Sequence, residues 1–347
     1  MKTSLVRFLA SLSVAAVVIL VGASPAWAQW TRVTEVPITS IYSVWIKDNT
    51  ILATADRVVH ISTDGGANWK ESADVADDTT VVTAARARNG RLYAGTFGQG
   101  VFISDDLGDS WQAFNQGLTG GVLNTQRFIA DLVVRGDSLY AATSGDGPWA
   151  RNLTTGSWFH FSNIFEPNQA SNMNSIDAGG SRLLACAGFN GTVFFRDPGQ
   201  PDWTRSWLNN TGLAPGLGAL TAIWTGSRWV VGANTGVFHS PSGDSPWTFS
   251  DVGLGTLFSV AFALRGSDVF ASFGTGIDST IEYSLDSGAT WHVVETLPFT
   301  FIFDLAVKND VLYAARADGL WRRSIVTVAV QPKTWGSVKA LYRKPGR

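Results

Sequence analysis

Tryptophan recurs along this chain at positions 30, 69, 111, 158, 203, 247 and 291, at spacings of 39, 42, 47, 45, 44 and 44 residues. A period of about 40–50 residues marks a chain built from stacked copies of one small unit, because such a unit cannot bury a core alone. The recurrence is not confined to tryptophan. A β-rich run ending in small residues occurs seven times: Ile51-Leu-Ala-Thr-Ala55, Leu92-Tyr-Ala-Gly-Thr96, Leu139-Tyr-Ala-Ala-Thr143, Leu183-Leu-Ala-Cys-Ala187, Trp229-Val-Val-Gly-Ala233, Val269-Phe-Ala-Ser-Phe273 and Leu312-Tyr-Ala-Ala-Arg316.

Each run follows another apolar strand that ends in a polar or glycine turn, as in Tyr42-Ser-Val-Trp-Ile-Lys-Asp-Asn49 and Phe303-Asp-Leu-Ala-Val-Lys-Asn-Asp310. Asp, Asn, Gly and Ser at these ends supply the positive φ that tight hairpins need. A third strand follows a glycine, as in Gly100-Val-Phe-Ile-Ser104 and Gly319-Leu-Trp-Arg-Arg323, and the tryptophan opens a fourth. Four short antiparallel strands per unit of roughly 40–45 residues is the arithmetic of a propeller blade. The expected fold is therefore all-β, a seven-bladed β-propeller. The last unit supplies only three strands, while the segment Gln29-Trp-Thr-Arg-Val33 is an orphan fourth strand. Setting that N-terminal strand on the last blade closes the ring in a 3+1 arrangement and removes the free edge between first and last blades.

Between the third and fourth strands three units carry Ser-x-Asp-x-Gly-x-x-Trp: Ser62 to Trp69, Ser104 to Trp111 and Ser284 to Trp291. Physically, Asp64, Asp106 and Asp286 can accept backbone N–H groups of their own turns. Gly66, Gly108 and Gly288 can take the left-handed conformation, and Trp69, Trp111 and Trp291 can cover the blade. These nine residues are read as structural. The pattern resembles the Asp-box, or BNR, repeat of secreted propellers, among them sialidases, oligoxyloglucan-type glycoside hydrolases, sortilin-like receptors and photosystem II assembly factors. The units at Trp158, Trp203 and Trp247 depart from it, losing the Asp or shifting the Gly. The resemblance implies that the hairpin lies at the periphery, away from the ligand face.

The chain ends read differently from the body. Lys2 and Arg7 precede an apolar stretch from Leu9 to Val21 and an Ala26-Trp27-Ala28 cleavage signal, so residues 1–28 are expected to be a secretory signal peptide. No later stretch has the ~20 apolar residues of a membrane span, and a secreted protein is expected. The propeller is placed at 29–330 and a basic tail at 331–347, where Lys333, Lys339, Arg343, Lys344 and Arg347 stand without an acid. The chain has 26 Lys and Arg and 28 Asp and Glu; seven of the cations and none of the acids lie in 1–28 or 331–347, leaving 19 against 28, a charge of −9. Nucleic acid is not an expected partner for such a body. Cys186 is the sole cysteine and sits in an apolar run, so it is read as an inert core residue.

A propeller commonly binds on the face formed by loops joining fourth to first and second to third strands. Residues expected there, as ligand-binding candidates, are Phe97, Gln99, Asp146, Trp149, Glu166, Phe189, Asn190, Trp207, Asn234 and Asp278. Rings that stack beside amides that donate and accept would suit a protein or carbohydrate ligand. No catalytic set is visible. Sialidase chemistry needs an arginine triad and a Tyr–Glu pair, yet Tyr42 and Tyr283, the tyrosines outside second strands and tail, have no convincing Glu partner. The four histidines lack metal-ligand spacing, and no cofactor or metal is expected. The reading is a monomeric, non-catalytic binding propeller; the alternative is a glycoside hydrolase, sialidase- or xyloglucanase-like, whose carboxylate pair sits among the loops.

Overall fold

The computed structural model describes residues 29–37, 39–77, 80–119, 122–154, 156–161, 172–188, 190–212, 216–250, 260–274 and 278–325. The expected signal peptide (1–28) and basic tail (331–347) lie outside them, and the described residues belong to one compact unit, Trp27–Ile325.

Among the described residues the chain forms seven four-stranded antiparallel sheets. Six are built from consecutive strands; in the first, Ile41–Lys47, Thr50–Ala55, Val58–Ser62 and Lys70–Glu71 run from the inside outwards. The seventh takes its inner three strands from Ile302–Lys308, Val311–Arg316 and Gly319–Ser324 and its outer strand from Thr31–Arg32. Thr31 pairs with Arg322 and Arg32 with Trp321, so the ring closes by the expected 3+1 device. Each inner strand packs against those of the two neighbouring blades, and the last against the first. The fold is a seven-bladed β-propeller.

Burial explains the segment types. The second strands lie between two blades on both faces, so they read as unbroken apolar runs: Thr50–Ala55 is buried at every position but the first. Their small residues answer to converging blades. A Cβ on Gly95 would come within 2.6 Å of Ile129 Cγ2 in the next blade. The outer strands are two to six residues long and mostly exposed.

Apolar burial is divided into seven clusters, one at each blade interface. Each repeat tryptophan belongs to a different one, packing against the blade before its own: Trp69 beside Tyr313, Trp111 beside Ile61, and Trp30 in the cluster of blades six and seven. Trp30 therefore does for the closing blade what the other six do for theirs. Its indole N–H donates to Glu295 Oε1 at 2.7 Å, and Arg323 donates to the same oxygen, fastening the N-terminal strand across the last interface.

The Ser-x-Asp-x-Gly-x-x-Trp turns share one hydrogen-bond scheme. Asp64 Oδ1 accepts from Ser62 Oγ (2.8 Å), Ala67 N (3.1 Å) and Asn68 N (2.9 Å), while Gly66 N donates to Ser62 Oγ at 2.8 Å. Asp106 and Asp286 repeat it, with Ser110 and Thr290 in place of Asn68. These bonds, led by that from the Asn68 N–H, hold the Asp64 carboxyl well below the usual carboxylate range; those from Ser110 hold Asp106 at about 2. Burial alone would raise Asp286, but its Thr290 bonds outweigh it and leave the carboxyl at about 2. The glycine serves twice: Gly288 has φ +88, and a Cβ there would lie 2.6 Å from Val230 Cγ2 of the preceding blade.

On the face where first strands turn into second strands, blades are clipped by cations. Arg135 Nη2 donates to Gly180 O (3.0 Å), Arg265 Nη1 to Asp310 (3.2 Å) and Lys308 Nζ to Asn49 Oδ1 (2.9 Å), each the last residue of an inner strand reaching the next blade's turn. That face is called the turn face below, and the opposite one the loop face.

Candidate functional site

The inner strands do not run regularly to the loop face. In six of the seven blades the register shifts one residue after the strand begins: between Ile41 and Ser43, Val82 and Ala84, Ile129 and Asp131, Met173 and Ser175, Ala219 and Thr221, and Ile302 and Asp304. A β-bulge of this kind re-aims the extra residue. All six extra residues, Tyr42, Thr83, Ala130, Asn174, Leu220 and Phe303, line one cavity of about 210 Å³ at the centre of the ring. The first two strands of the sixth blade pair without such a shift, and that blade contributes Ala261.

Below the bulged residues lie carboxylates. Asp304 accepts from its neighbour Leu305 N (2.8 Å) and from Val44 N of the next blade (2.9 Å). Asp131 accepts from Leu132 N (2.7 Å), from Ile176 N of the next blade (3.1 Å) and from Arg86 Nη2 (2.6 Å). Asp177, two residues further along its strand, accepts from Trp224 N at 3.1 Å. Thr83 and Asn174 act alike with side-chain donors, to Ile129 O (2.7 Å) and Ala219 O (2.8 Å). The inner ring is thus held by side chains reaching across blade boundaries.

Protein surrounds these acids, although Asp131 keeps 20% of its side-chain surface open to the cavity. Burial raises Asp131 and Asp177 and pushes Asp304 up to about 6, against the pull of the backbone donors and Arg86. Arg86 is the one cation lining the cavity among the described residues. Each acid accepts main-chain N–H groups, the arrangement of a strand clip.

Aromatic rings lead into the cavity mouth from one side. Phe301 packs on Phe303 (centroids 4.8 Å apart) and Phe303 on Tyr42 (5.5 Å), while Phe299, two residues before Phe301, is 85% exposed. Elsewhere on the loop face, after the second strand of the second blade, Phe97 stands half exposed with its ring edge-on to Phe128 at 4.8 Å.

Several residues singled out from the sequence tie their turn to a neighbouring fourth-to-first-strand loop. Asn234 gives its amide to Gly216 O (2.6 Å) and accepts from Gly218 N (2.9 Å); Gln99 pairs with Asp77; Asp278 accepts from Phe299 N (2.9 Å). Asn190 occupies a positive-φ turn position, and Trp207 ends the outer strand Thr204–Trp207. Trp149 is corrected: it is 3% exposed in the core between blades two and three, stacked on His160, so it presents nothing to a ligand. Its indole N–H donates to Asp146 Oδ2 at 3.1 Å, which brings these two candidates into contact. Glu166 and Phe189 lie outside the described residues.

The residues missed by sequence reasoning are those of the bulges. A signal existed in the polar positions of otherwise apolar first strands, such as Asp131 and Asp304, but these read as ordinary alternation. Among the described residues no group of His, Cys, Asp or Glu is arranged to hold a metal ion, and no helix is long and apolar enough to cross a membrane.

No model of a known protein family matches the chain, and no curated protein does. Solved structures do. YCF48 bound to D1 peptide is 16% identical with a TM-score of 0.64, over 88% of this chain and 98% of that one. YCF48 from Cyanidioschyzon merolae is 12% identical with a TM-score of 0.63, over 86% and 98%. The extracellular domain of the putative one component system BT4673 from B. thetaiotaomicron is 12% identical with a TM-score of 0.65, over 86% of this chain and 40% of that one. At such identities the likeness is one of fold: this chain is built as a seven-bladed propeller on the plan that these proteins share.

Proposed function

We propose that the protein is an exported, non-catalytic β-propeller that binds a protein partner on its loop face. The observation that carries this reading is the set of six bulges, which turn side chains of six blades, the rings of Tyr42 and Phe303 among them, into one central mouth. Bulges conflict with regular pairing and are characteristic of places where a side chain must be re-aimed. A peptide bound to one propeller of similar fold supports the reading as an analogy. A glycan is the less favoured ligand, because the amides of Asn234 and Gln99 are engaged within the protein. A glycoside hydrolase is disfavoured by the clipping role of Asp131, Asp177 and Asp304. The turn motif and export complete the proposal: an Asp-box propeller released after a signal peptide of residues 1–28.

Photocrosslinking in the native host tests it. A photoreactive amino acid at Phe97 or Phe301 is expected to capture a discrete partner protein, whereas one at Asn89 on the turn face captures none. Equal capture from both faces, or capture from Asn89 alone, refutes the loop-face reading. Turnover of any chromogenic glycoside, abolished by Asp304→Asn in a folded variant, refutes the non-catalytic one. N-terminal sequencing of the exported protein is expected to start at Gln29.

A further inference from the structure

We infer that the loop-face site takes an extended segment of a partner protein whose lysine or arginine side chain enters the central mouth while its neighbouring apolar residue lies over the Phe299–Tyr42 aromatic series. This inference rests on the loop-face reading and adds the chemistry of the occupant.

Shape argues for one side chain. A cavity of about 210 Å³ is below the roughly 300–1,000 Å³ of ordinary small-molecule pockets, so it admits a single long side chain delivered from a backbone outside. The rim offers a surface for that backbone's neighbours. Phe299 is 85% exposed, and two residues further on Phe301 begins a run of ring contacts with Phe303 (4.8 Å) and from Phe303 to Tyr42 (5.5 Å). Phe299 belongs to none of the interface clusters, which leaves its exposed ring to meet an incoming apolar residue.

Charge argues for a cation. Asp304 directly follows the bulged Phe303, and Asp131 lines the same cavity. Asp56 acts on the Tyr42 hydroxyl, which burial first and that negative charge second push upward. Asp278 sits beneath Phe299, accepting its N–H at 2.9 Å. Opposing them, Arg86 is held by Asp131 at 2.6 Å, and Arg316 on the same side of the ring is held by Asp318 at 2.9 and 3.0 Å. Among the described residues the cavity lining sets Asp131 and Asp304 against Arg86 beside the rings of Tyr42 and Phe303, the combination that attracts Lys or Arg through both carboxylate and cation–π terms. An anionic or neutral segment would gain neither. The body charge of −9, 19 cations against 28 acids between residues 29 and 330, favours the same encounter at a distance.

The test pans a phage-displayed random dodecapeptide library on the whole exported chain and measures enriched peptides, as fluorescein conjugates, by anisotropy. Expected are peptides with Lys or Arg next to an aromatic or aliphatic residue. Their affinity should fall at least tenfold with Phe299→Ser plus Phe301→Ser, and severalfold when the peptide's cation is changed to Glu. Lys47→Gln on the turn face should leave it unchanged. Phe299→Ser alone, at so exposed a position, keeps the test valid should the double variant fold poorly. Enriched neutral or acidic peptides that still require Phe299 would overturn the cation inference and leave the loop-face reading standing. Peptides indifferent to Phe299 and Phe301 but lost with Lys47→Gln would overturn both. Absence of any enriched peptide would overturn the inference of a peptide occupant, and the crosslinking result would then decide the loop-face reading by itself.

Discussion

Replacing Glu282 by Gln should stabilise this propeller above neutral pH and leave it nearly unchanged in acid. Glu282 lies on the third strand of the sixth blade, Ser279–Ser284, and is 0% exposed. Cross-strand pairing sets it in the row Phe262–Ala271–Glu282, on the face where Trp291 packs on Phe262 and Phe273 against Val230 and Val237 of the fifth blade. Neither carboxylate oxygen has a hydrogen-bond partner. Burial without compensation disfavours the charge and pushes the group from its ordinary 4.5 to about 7. At 1.36 kcal/mol per pH unit, that difference amounts to about 3 kcal/mol. The sign follows from the proton count: between pH 4.5 and about 7 the folded state holds a proton that the unfolded state has released. Stability from this group is therefore full below 4.5, declines through the interval and is lost above about 7. His239, which faces the same interface from the fifth blade and is lowered mainly by burial, contributes with the opposite sign; Asp304 contributes with the same sign. Subtracting the wild-type curve from that of Glu282→Gln cancels both. Denaturant titrations at half-unit intervals from pH 4 to 9 should give a difference that rises by about 3 kcal/mol and then levels, or about 5 °C in melting temperature for a domain of this size. Parallel curves, with no pH-dependent difference, would refute the account of Glu282 as an uncompensated buried carboxylate.

Glu295→Ala removes the carboxylate shared by Trp30 and Arg323, and Arg323 is 5% exposed; since Glu295 itself is 30% exposed, about 2 kcal/mol of stability should be lost. An unchanged melting temperature would show that the closing strand is held by packing and ladder bonds alone. Gly288→Ala meets both a φ of +88 and Val230 at 2.6 Å, and should cost about 3 kcal/mol; Gly226→Ala, at φ +95 with open space around it, should cost about 1 kcal/mol. Equal losses at the two glycines would refute the close approach between blades. Cys186 is fully buried and its thiol is pushed well above the ordinary value chiefly by burial, so an aromatic disulfide reagent should label it only upon unfolding. Fast labelling of the native protein would place it outside the core.

Repetition made the fold legible. A tryptophan every 39 to 47 residues, seven apolar runs and an orphan first strand lead to seven blades and to the 3+1 closure, because each feature reports a contact that recurs in every unit. The small residues of the second strands and the glycines of the turns also declared themselves, since close approach between blades leaves no alternative at Gly95 or Gly288. The candidate site was much less legible. Loop composition pointed to Asn234, Gln99 and Trp149, yet the first two tie one loop to another and the third is core. Loop residues of these types are chosen first for turn geometry, so their presence says little about a ligand.

The sequence by itself determined the number of units, the closure and the tryptophan at every blade interface, because local patterning and periodic burial are written in residue order. Only the tertiary structure decided where the chain is polar at its centre. A bulge is a slip of register between two strands, and nothing in Tyr42, Thr83, Asn174 or Phe303 taken singly announces it. Their convergence comes from seven-fold closure, which brings residues some 40 positions apart in sequence around one cavity.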